Sequence, residues 1–262
     1  MSIRVAIAGG NGRMGRTLIE LIAASDELVL TAVTLAPEES VPQPSPAAEA
    51  LYTHDIDAAL EAADVLVDFT TPATTGQHGA ACASAGVSWV LGTTGLDEAQ
   101  QAAVAAAAQK VAICQSANFS TGVNLMLRLV ELASRASDSD TDLEVIEAHH
   151  RHKVDAPSGT ALAIGKAMAA GRDVQLDEQA VMSREGITGA RVNGTIGFAT
   201  IRGGDIVGDH TALFASEGER LEITHRAGTR QAFARGACRA AVWLAGKGAG
   251  LYDMQDVLQL RE

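Results

Sequence analysis

The 262-residue sequence predicts an α/β fold: a doubly wound parallel sheet carrying an inserted α+β domain with a mainly antiparallel or mixed sheet. Three observations predict it. Short apolar runs alternate with helical patterns from the first residues to about Asn118. A glycine-rich turn follows directly on the first apolar run. Beyond Asn118 the texture changes: after helical patterns at 123–135 and 159–170, residues 191–226 are rich in Thr, Ile and Gly with alternating polarity, and helices return at 231.

The elements read as follows. Ile3–Ala8 is a buried strand, the turn occupies 9–15, and a helix runs from about Arg16 to Ala24 with Leu18, Ile19, Leu21 and Ile22 apolar. Leu28–Leu35 completes a β-turn-α-β unit. Residues 36–48 hold four of the six prolines (Pro37, Pro42, Pro44, Pro46) and read as a surface loop. Alternation resumes with a helix at Asp57–Ala63, a strand at Val65–Phe69, and a helix at Thr74–Ala85. Trp89–Leu91 is the next strand, Asp97–Gln109 an Ala-rich helix and Val111–Cys114 a strand. In the second part, Val123–Arg135 is a long helix, Asp142–Ala148 a strand and Gly159–Ala170 a helix. Thr195–Ile201 and Glu219–His225 alternate as strands in a mainly antiparallel sheet, with final helices at 231–246 and 253–259. Two domains result: residues 1–120, completed by 229–262, and an insertion at 121–228.

Composition narrows the function. The chain is 47% hydrophobic but only 3% aromatic, so its core is aliphatic. Its net charge of −12, from 20 basic and 32 acidic residues, repels nucleic acid and anionic membrane. No apolar stretch approaches the roughly 18 residues a membrane span requires. The N-terminus runs straight into a strand and leaves no room for a signal peptide. Three dispersed cysteines (Cys82, Cys114, Cys238) without CxxC spacing fit a reducing compartment. The expected location is cytoplasmic, and an anionic substrate requires a local cationic patch.

Two segments carry chemistry. Gly10-Asn11-Gly12-Arg13-Met14-Gly15 is a G-x-G-x-x-G motif, and Gly9 adds a G-x-x-G-x-x-G register. Placed after a strand and opening a helix, it is the Rossmann-type dinucleotide fingerprint, in which backbone N–H groups hold a pyrophosphate. The alternative is a plain turn. The acidic residue expected at the end of the second strand is missing: Leu35-Ala36 stands there, with Glu38 and Glu39 only after Pro37, leaving NADH and NADPH both open. The second segment is Glu147-Ala148-His149-His150-Arg151-His152-Lys153-Val154-Asp155, the cationic patch the acidic chain needs. Its spacing does not suit a metal, since adjacent His, Arg and Lys cannot converge on one ion. A solvated strand end is the plain alternative. His149 and Lys153 can exchange protons near neutrality. Ser158-Gly159-Thr160 then opens an apolar helix whose N-terminus suits an anion, with Ser158 also a cap contributing about 1 kcal/mol. Two anion sites imply hydride transfer to a small carboxylated substrate, with the reactive carbon between the domains.

The sequence resembles the 4-hydroxy-tetrahydrodipicolinate reductase family, also called dihydrodipicolinate reductase, over nearly its whole length. The resemblance rests on Val5–Gly9 with Gly12–Gly15, Asp68-Phe69-Thr70, Gly92–Gly95, Ala117–Ser120, the block Glu147–Ala161, Gly194–Phe198, Gly203–Gly208 and Leu221–His225. It implies that NADH or NADPH binds along Gly9, Gly10, Asn11, Gly12, Arg13 and Met14, at Phe69 and Thr70, at Gly92, Thr93 and Thr94, and at Ser116, Ala117, Asn118 and Phe119. It implies His149 as proton donor or acceptor and Lys153 as proton donor, with His150, Ser158 and the backbone at Gly159-Thr160 holding a cyclic dicarboxylate. Hydride would reach C4 of the ring with loss of water, in lysine and diaminopimelate biosynthesis. It also implies a homotetramer assembled through the inserted substrate-binding domain. Leu35-Ala36 departs from an acid–Arg pair of some members, and Thr71 stands where some have Arg.

Two rivals remain distinguishable. A semialdehyde dehydrogenase would need a thiolate, for which only Cys114 is near the cofactor loops, in an apolar run that disfavours it. A nucleotide sensor would have no use for His149 and Lys153. His54, His78 and His210 read as surface or packing residues, and Trp89 and Trp243 as core.

Overall fold

The computed structural model describes residues 2–42 and 47–261; the proline-rich loop expected at 36–48 therefore lies partly outside the described residues. In chain order the elements are β1 (Ile3–Ala8), α1 (Arg13–Ala23), β2 (Leu28–Thr34), β3 (Leu51–Thr53), α2 (Ile56–Leu60) and β4 (Val65–Asp68). A single 3₁₀ turn at Pro72–Thr74 leads into α3 (Thr75–Ala85), β5 (Ser88–Leu91), α4 (Glu98–Ala108) and β6 (Ala112–Gln115). Then come α5 (Thr121–Ala136), β7 (Asp142–His149), α6 (Gly159–Gly171), α7 (Leu176–Gln179) and β8 (Ala180–Val181). The chain closes with β9 (Ile196–Arg202), β10 (Asp209–Ser216), β11 (Glu219–Arg226), α8 (Gln231–Leu244), β12 (Gly250–Tyr252) and α9 (Met254–Val257). It divides into two compact units, Met1–Thr121 with Arg230–Glu262, and Gly122–Thr229.

The first unit is a seven-stranded, all-parallel sheet of order β12-β6-β5-β4-β1-β2-β3. A parallel sheet is covered on both faces, so successive residues of each strand must serve two cores. They do. Val5, Ile7, Val65, Val67 and Val90 face a core shared with α1, α8 and α9, including Leu18, Ile22, Ala237 and Leu244. Ala6, Ala8, Leu66, Trp89 and Leu91 face the other, shared with α2, α3 and α4, including Leu60, Cys82 and Val104. The many alanines of α8 and α4 let these helices lie close to the sheet. The edge strands β3 and β12 escape the apolar-run criterion because each has three residues and one exposed leucine. Trp243 packs at the margin of the first core. It is half-buried, edge-on to Tyr252 at 5.2 Å, with the Lys247 ammonium 4.2 Å above its ring.

The second unit has a five-stranded sheet of order β11-β10-β7-β9-β8. Its β11–β10 and β10–β7 pairs are antiparallel and its β7–β9 and β9–β8 pairs parallel, so the sheet is mixed, with less antiparallel pairing than the alternating polarity predicts. One face packs on α5 and α6 through Leu143, Val145, Ile196, Phe198, Ala212 and Phe214 against Met126, Val130, Ile164 and Met168. The other face carries Ile146, Ala148, Leu213 and Ala215, half-buried, with Ala199 and Ile201 exposed. No helix among the described residues is long and apolar enough to cross a membrane.

Candidate active site

In the first unit, β1 and β4 are neighbours whose connections leave toward opposite edges of the sheet, and ligands of such sheets bind outside the carboxyl ends of the strands at that point. The expected cofactor residues follow the carboxyl ends of β1, β4, β5 and β6, four adjacent parallel strands. The turn after β1 is backbone packed on backbone. Gly9 has φ +75°, a conformation L side chains rarely adopt, and the Gly9 and Gly10 amides both donate to the Thr34 carbonyl at 3.1 and 3.0 Å. A Cβ on Gly10 would lie 2.1 Å from Val33 Cγ1, and one on Gly15 2.3 Å from the Gly9 carbonyl oxygen. Helix α1 starts three residues earlier than its apolar pattern predicts, at Arg13, so Arg13, Met14 and Gly15 form its first turn. Gly12 caps it without a side-chain hydrogen bond, and no acidic residue stands in that turn. This open helix start beside a glycine turn fits a pyrophosphate. Asn11 donates to the Ser40 carbonyl at 3.2 Å, tying the segment after β2 to the turn. There the Glu39 carboxylate accepts the Ala36 amide at 3.0 Å, which folds an acid from beyond Pro37 back to the end of β2.

Asp68, at the end of β4, is wholly buried and organises the neighbouring loops. Its Oδ1 accepts the Thr70 amide at 3.0 Å, the Thr70 hydroxyl at 2.6 Å and the Thr93 hydroxyl at 3.4 Å. Its Oδ2 meets His78 Nδ1 at 2.8 Å. His78 is therefore the partner of a buried carboxylate, which corrects its reading as a surface or packing residue. Phe69 lies edge-on to buried Phe119, with ring centroids 5.4 Å apart, and its ring occupies the space a Cβ on Gly92 would need. Ser116 Oγ donates to the Asn118 carbonyl at 2.8 Å, while Thr94 and Ala117 are exposed. Burial pushes the Cys114 thiol up to about 12, with the charges of Asp253 and Asp256 adding to it, so no thiolate nucleophile is present there.

In the second unit the chemistry lies on the covered face of the mixed sheet. Residues 143, 145, 147 and 149 of β7 share that face; the first two are core, the last two are Glu147 and His149. Register brings Arg202 of β9 opposite His149, and His210 of β10 opposite Glu147. The Glu147 carboxylate accepts His149 Nδ1 at 2.6 Å, Arg202 at 2.8 and 2.9 Å and the Ser158 amide at 3.1 Å. Burial alone would raise the Glu147 carboxyl, but the Arg202, His149 and Ser158 hydrogen bonds outweigh it and hold it below the usual carboxylate range. An ionised carboxylate only accepts, so His149 carries its proton on Nδ1. Nε2 has no protein partner among the described residues.

Lys153 Nζ pairs with Asp155 Oδ2 at 2.9 Å, in a turn closed by the Lys153 amide on the His150 carbonyl. Gly159 is exposed, and Thr160 and His150 are half-buried. Ser158 is buried and committed: its hydroxyl receives the Ala161 amide at 3.2 Å and meets His210 Nε2 at 3.0 Å. Its hydroxyl thus joins the helix start to His210, beside the exposed Gly159. His210 is likewise no bystander. Its ring lies edge-on to His149 at 5.0 Å, and burial, with the neighbouring His149, lowers it to about 4, so it is neutral near pH 7. Arg202 and His210 escape motif reading, because only the sheet register and the buried face bring them to Glu147 and His149, while Asp68 and Glu147 stand in the quoted motifs with no role read for them. No cluster of three His, Cys, Asp or Glu among the described residues is placed to hold a metal ion.

Comparison with known proteins follows both units. Residues 3–119 match the family model described as dihydrodipicolinate reductase, N-terminus, and residues 122–258 the one described as dihydrodipicolinate reductase, C-terminus. A 4-hydroxy-tetrahydrodipicolinate reductase of Thiobacillus denitrificans is 54% identical, with 100% of both chains covered. Among solved structures, a dipicolinate-bound dihydrodipicolinate reductase from Paenisporosarcina sp. TG-14 superposes with a TM-score of 0.79 at 27% identity, over 98% of this chain and 99% of that one. A scyllo-inositol dehydrogenase from Lactobacillus casei, solved with NAD(H) and scyllo-inositol, shares the fold at 13% identity, with a TM-score of 0.59 over 99% and 94% of the two chains.

Proposed function

The chain belongs to the dihydrodipicolinate reductase family, and from that premise we propose how its residues divide the reaction. It is an NAD(P)H-dependent oxidoreductase that reduces 4-hydroxy-tetrahydrodipicolinate to tetrahydrodipicolinate, with loss of water, in lysine and diaminopimelate biosynthesis. The nicotinamide cofactor supplies the hydride.

Residues 1–120 with 229–262 serve the dinucleotide and 121–228 the substrate. Backbone of Gly9, Gly10, Gly12, Arg13 and Met14 holds the pyrophosphate at the α1 start, with Asn11 anchoring the turn. Phe69, Thr70, Gly92, Thr93, Thr94, Ser116, Ala117, Asn118 and Phe119 form the rest of the cradle, with buried Asp68 beneath Thr70 and Thr93. His150 and the Gly159-Thr160 backbone receive the substrate carboxylates, while Ser158 holds the helix start in place. One proton is needed per turnover, because the ring takes up hydride and the departing hydroxyl leaves as water. Lys153 donates it, and His149 Nε2 exchanges it with solvent.

The observation that carries this reading is the single cluster in which His149, held through Nδ1 by Glu147, stands on the turn that presents Lys153 beside the α6 start. The test is an absorbance assay of reduced nicotinamide with substrate made in place by the preceding synthase, NADH and NADPH run side by side. Oxidation dependent on the synthase product supports the assignment. Binding of either cofactor without turnover would overturn it and leave a nucleotide sensor. Because the Glu39 carboxylate at the end of β2 repels a 2′-phosphate, the rate with NADH exceeds that with NADPH, and Glu39→Gln narrows the ratio.

The location is cytoplasmic, supported by three free cysteines, and the chain assembles as a homotetramer through the open face of the mixed sheet around Ile146, Ile201 and Leu213. Sedimentation of the wild type and of Ile201→Glu tests this, with dissociation expected for the variant.

A further inference from the structure

Glu147 is among the most deeply buried charged groups of the chain, with 1% of its side chain exposed. All four of its acceptor directions are used: Oε2 by His149 Nδ1 and Arg202 Nη1, Oε1 by the Ser158 amide and Arg202 Nη2. A carboxylate so enclosed cannot reach a substrate, and for packing alone a buried charge is costly. We propose that Glu147 is the positioning residue of the reaction: it fixes His149 as the Nδ1–H tautomer, points Nε2 at the proton to be exchanged, and stabilises the imidazolium formed when Nε2 is protonated. The proposal rests on the reading of His149 as the exchanging group.

The surroundings fit this role. Arg202 neutralises the carboxylate and also donates to the Asp155 carbonyl at 2.6 Å, which ties Glu147 to the turn carrying Lys153. The Ser158 amide opens α6, so one carboxylate sets both the imidazole and the helix start assigned to the substrate carboxylates. His210 blocks rotation of the His149 ring from one side, and the backbone of Gly208 lies over Nε2, where a Cβ would stand 3.0 Å away. The charged and titratable groups around the imidazole are Glu147 on its own strand, Arg202 on β9, His210 on β10 with His225 behind it on β11, and His150, Lys153 and Asp155 in the following turn. Only Glu147 accepts from the His149 ring among these.

The experiment is a double-mutant cycle of Glu147→Gln and His149→Ala, reading kcat, KM and the pH profile of kcat/KM. Glu147→Gln alone lowers kcat by about 10- to 100-fold with KM little changed and alters the pH profile of kcat/KM, because the acceptor that fixes the His149 ring is gone. In the His149→Ala background the same substitution costs less than about 3-fold, since its target is absent. Losses that multiply instead would make Glu147 a purely structural residue and overturn the proposal. A His149→Ala enzyme of unchanged kcat would instead remove the premise from the preceding section, and the proposal with it. Should Glu147→Gln not fold, Glu147→Asp, which keeps a carboxylate for Arg202 but draws it back from His149, enters the same cycle with the same expected pattern.

Discussion

Replacing Asp68 by alanine tests whether the cofactor cradle hangs on one buried carboxylate. Four donors lose their acceptor: the Thr70 amide, the Thr70 and Thr93 hydroxyls, and His78. Two of them can recover. The Thr70 hydroxyl turns to Thr74 Oγ1, already 2.8 Å away, and the Thr93 bond is long at 3.4 Å. The half-buried Thr70 amide and the buried His78 ring are left unpaired, at up to about 1–3 kcal/mol each. The expected destabilisation is therefore about 2–6 kcal/mol, and for a chain of this size each kcal/mol lowers Tm by roughly 2–4 °C. Asp68→Asn keeps an oxygen for the threonines and can meet His78 through its amide if the ring presents a bare Nδ1, so it costs about 1 kcal/mol. Thermal unfolding gives the first quantity, and quenching of nicotinamide fluorescence gives cofactor Kd, which rises at least about 10-fold for alanine as the Thr70 and Thr93 loops lose their common anchor. An alanine variant within about 2 °C of the parent and with unchanged Kd, or Ala and Asn variants that behave alike, would refute the reasoning.

Three other outcomes are expected. Lys153→Ala lowers kcat by about 10²-fold with KM for the dicarboxylate little changed, because a proton donor acts mainly in the transition state; steady-state kinetics in which only KM rises would make Lys153 an anion clamp. Gly208→Ala places a methyl 3.0 Å from His149 Nε2 and lowers kcat while leaving cofactor Kd unchanged, readable in the same two assays. Stability has an acid-sensitive window set by His210: its pKa is about 4 folded and near 6.5 unfolded, so the unfolded chain binds the extra proton and stability is lost as pH falls from about 6.5 to about 4. Denaturant titrations across that range show the slope, and His210→Gln flattens it.

Much of this is legible in the sequence alone. The alternation that predicts a parallel sheet has a direct cause, since strands such as Val5-Ala6-Ile7-Ala8 must be apolar on both sides. The glycine turn reads clearly because Gly9, Gly10 and Gly15 sit where a side chain would strike backbone or the core. The His149–Lys153 turn announces itself by density of function. What sequence reading misses is pairing across strands. Arg202 stands 55 residues from Glu147, and only the parallel β7–β9 register unites their strands. His78 and His210 look isolated because their partners, Asp68 and Ser158, are 10 and 52 residues away. Glu39 reaches β2 by a turn, so reading the strand end at Leu35-Ala36 alone finds no acid. Edge strands of two or three residues leave too little periodicity to detect.

Leu143 and Val145 point the same way as Glu147 and His149, two at the apolar end of one strand face and two at its polar end. A slip of one residue in β7 would turn all four over together, bringing hydrophobic groups and acid–base groups alike to the open face. The core thus acts as a proofreader for the cluster: a chain that misaligns this strand loses its packing and the Glu147–His149 pair in the same event.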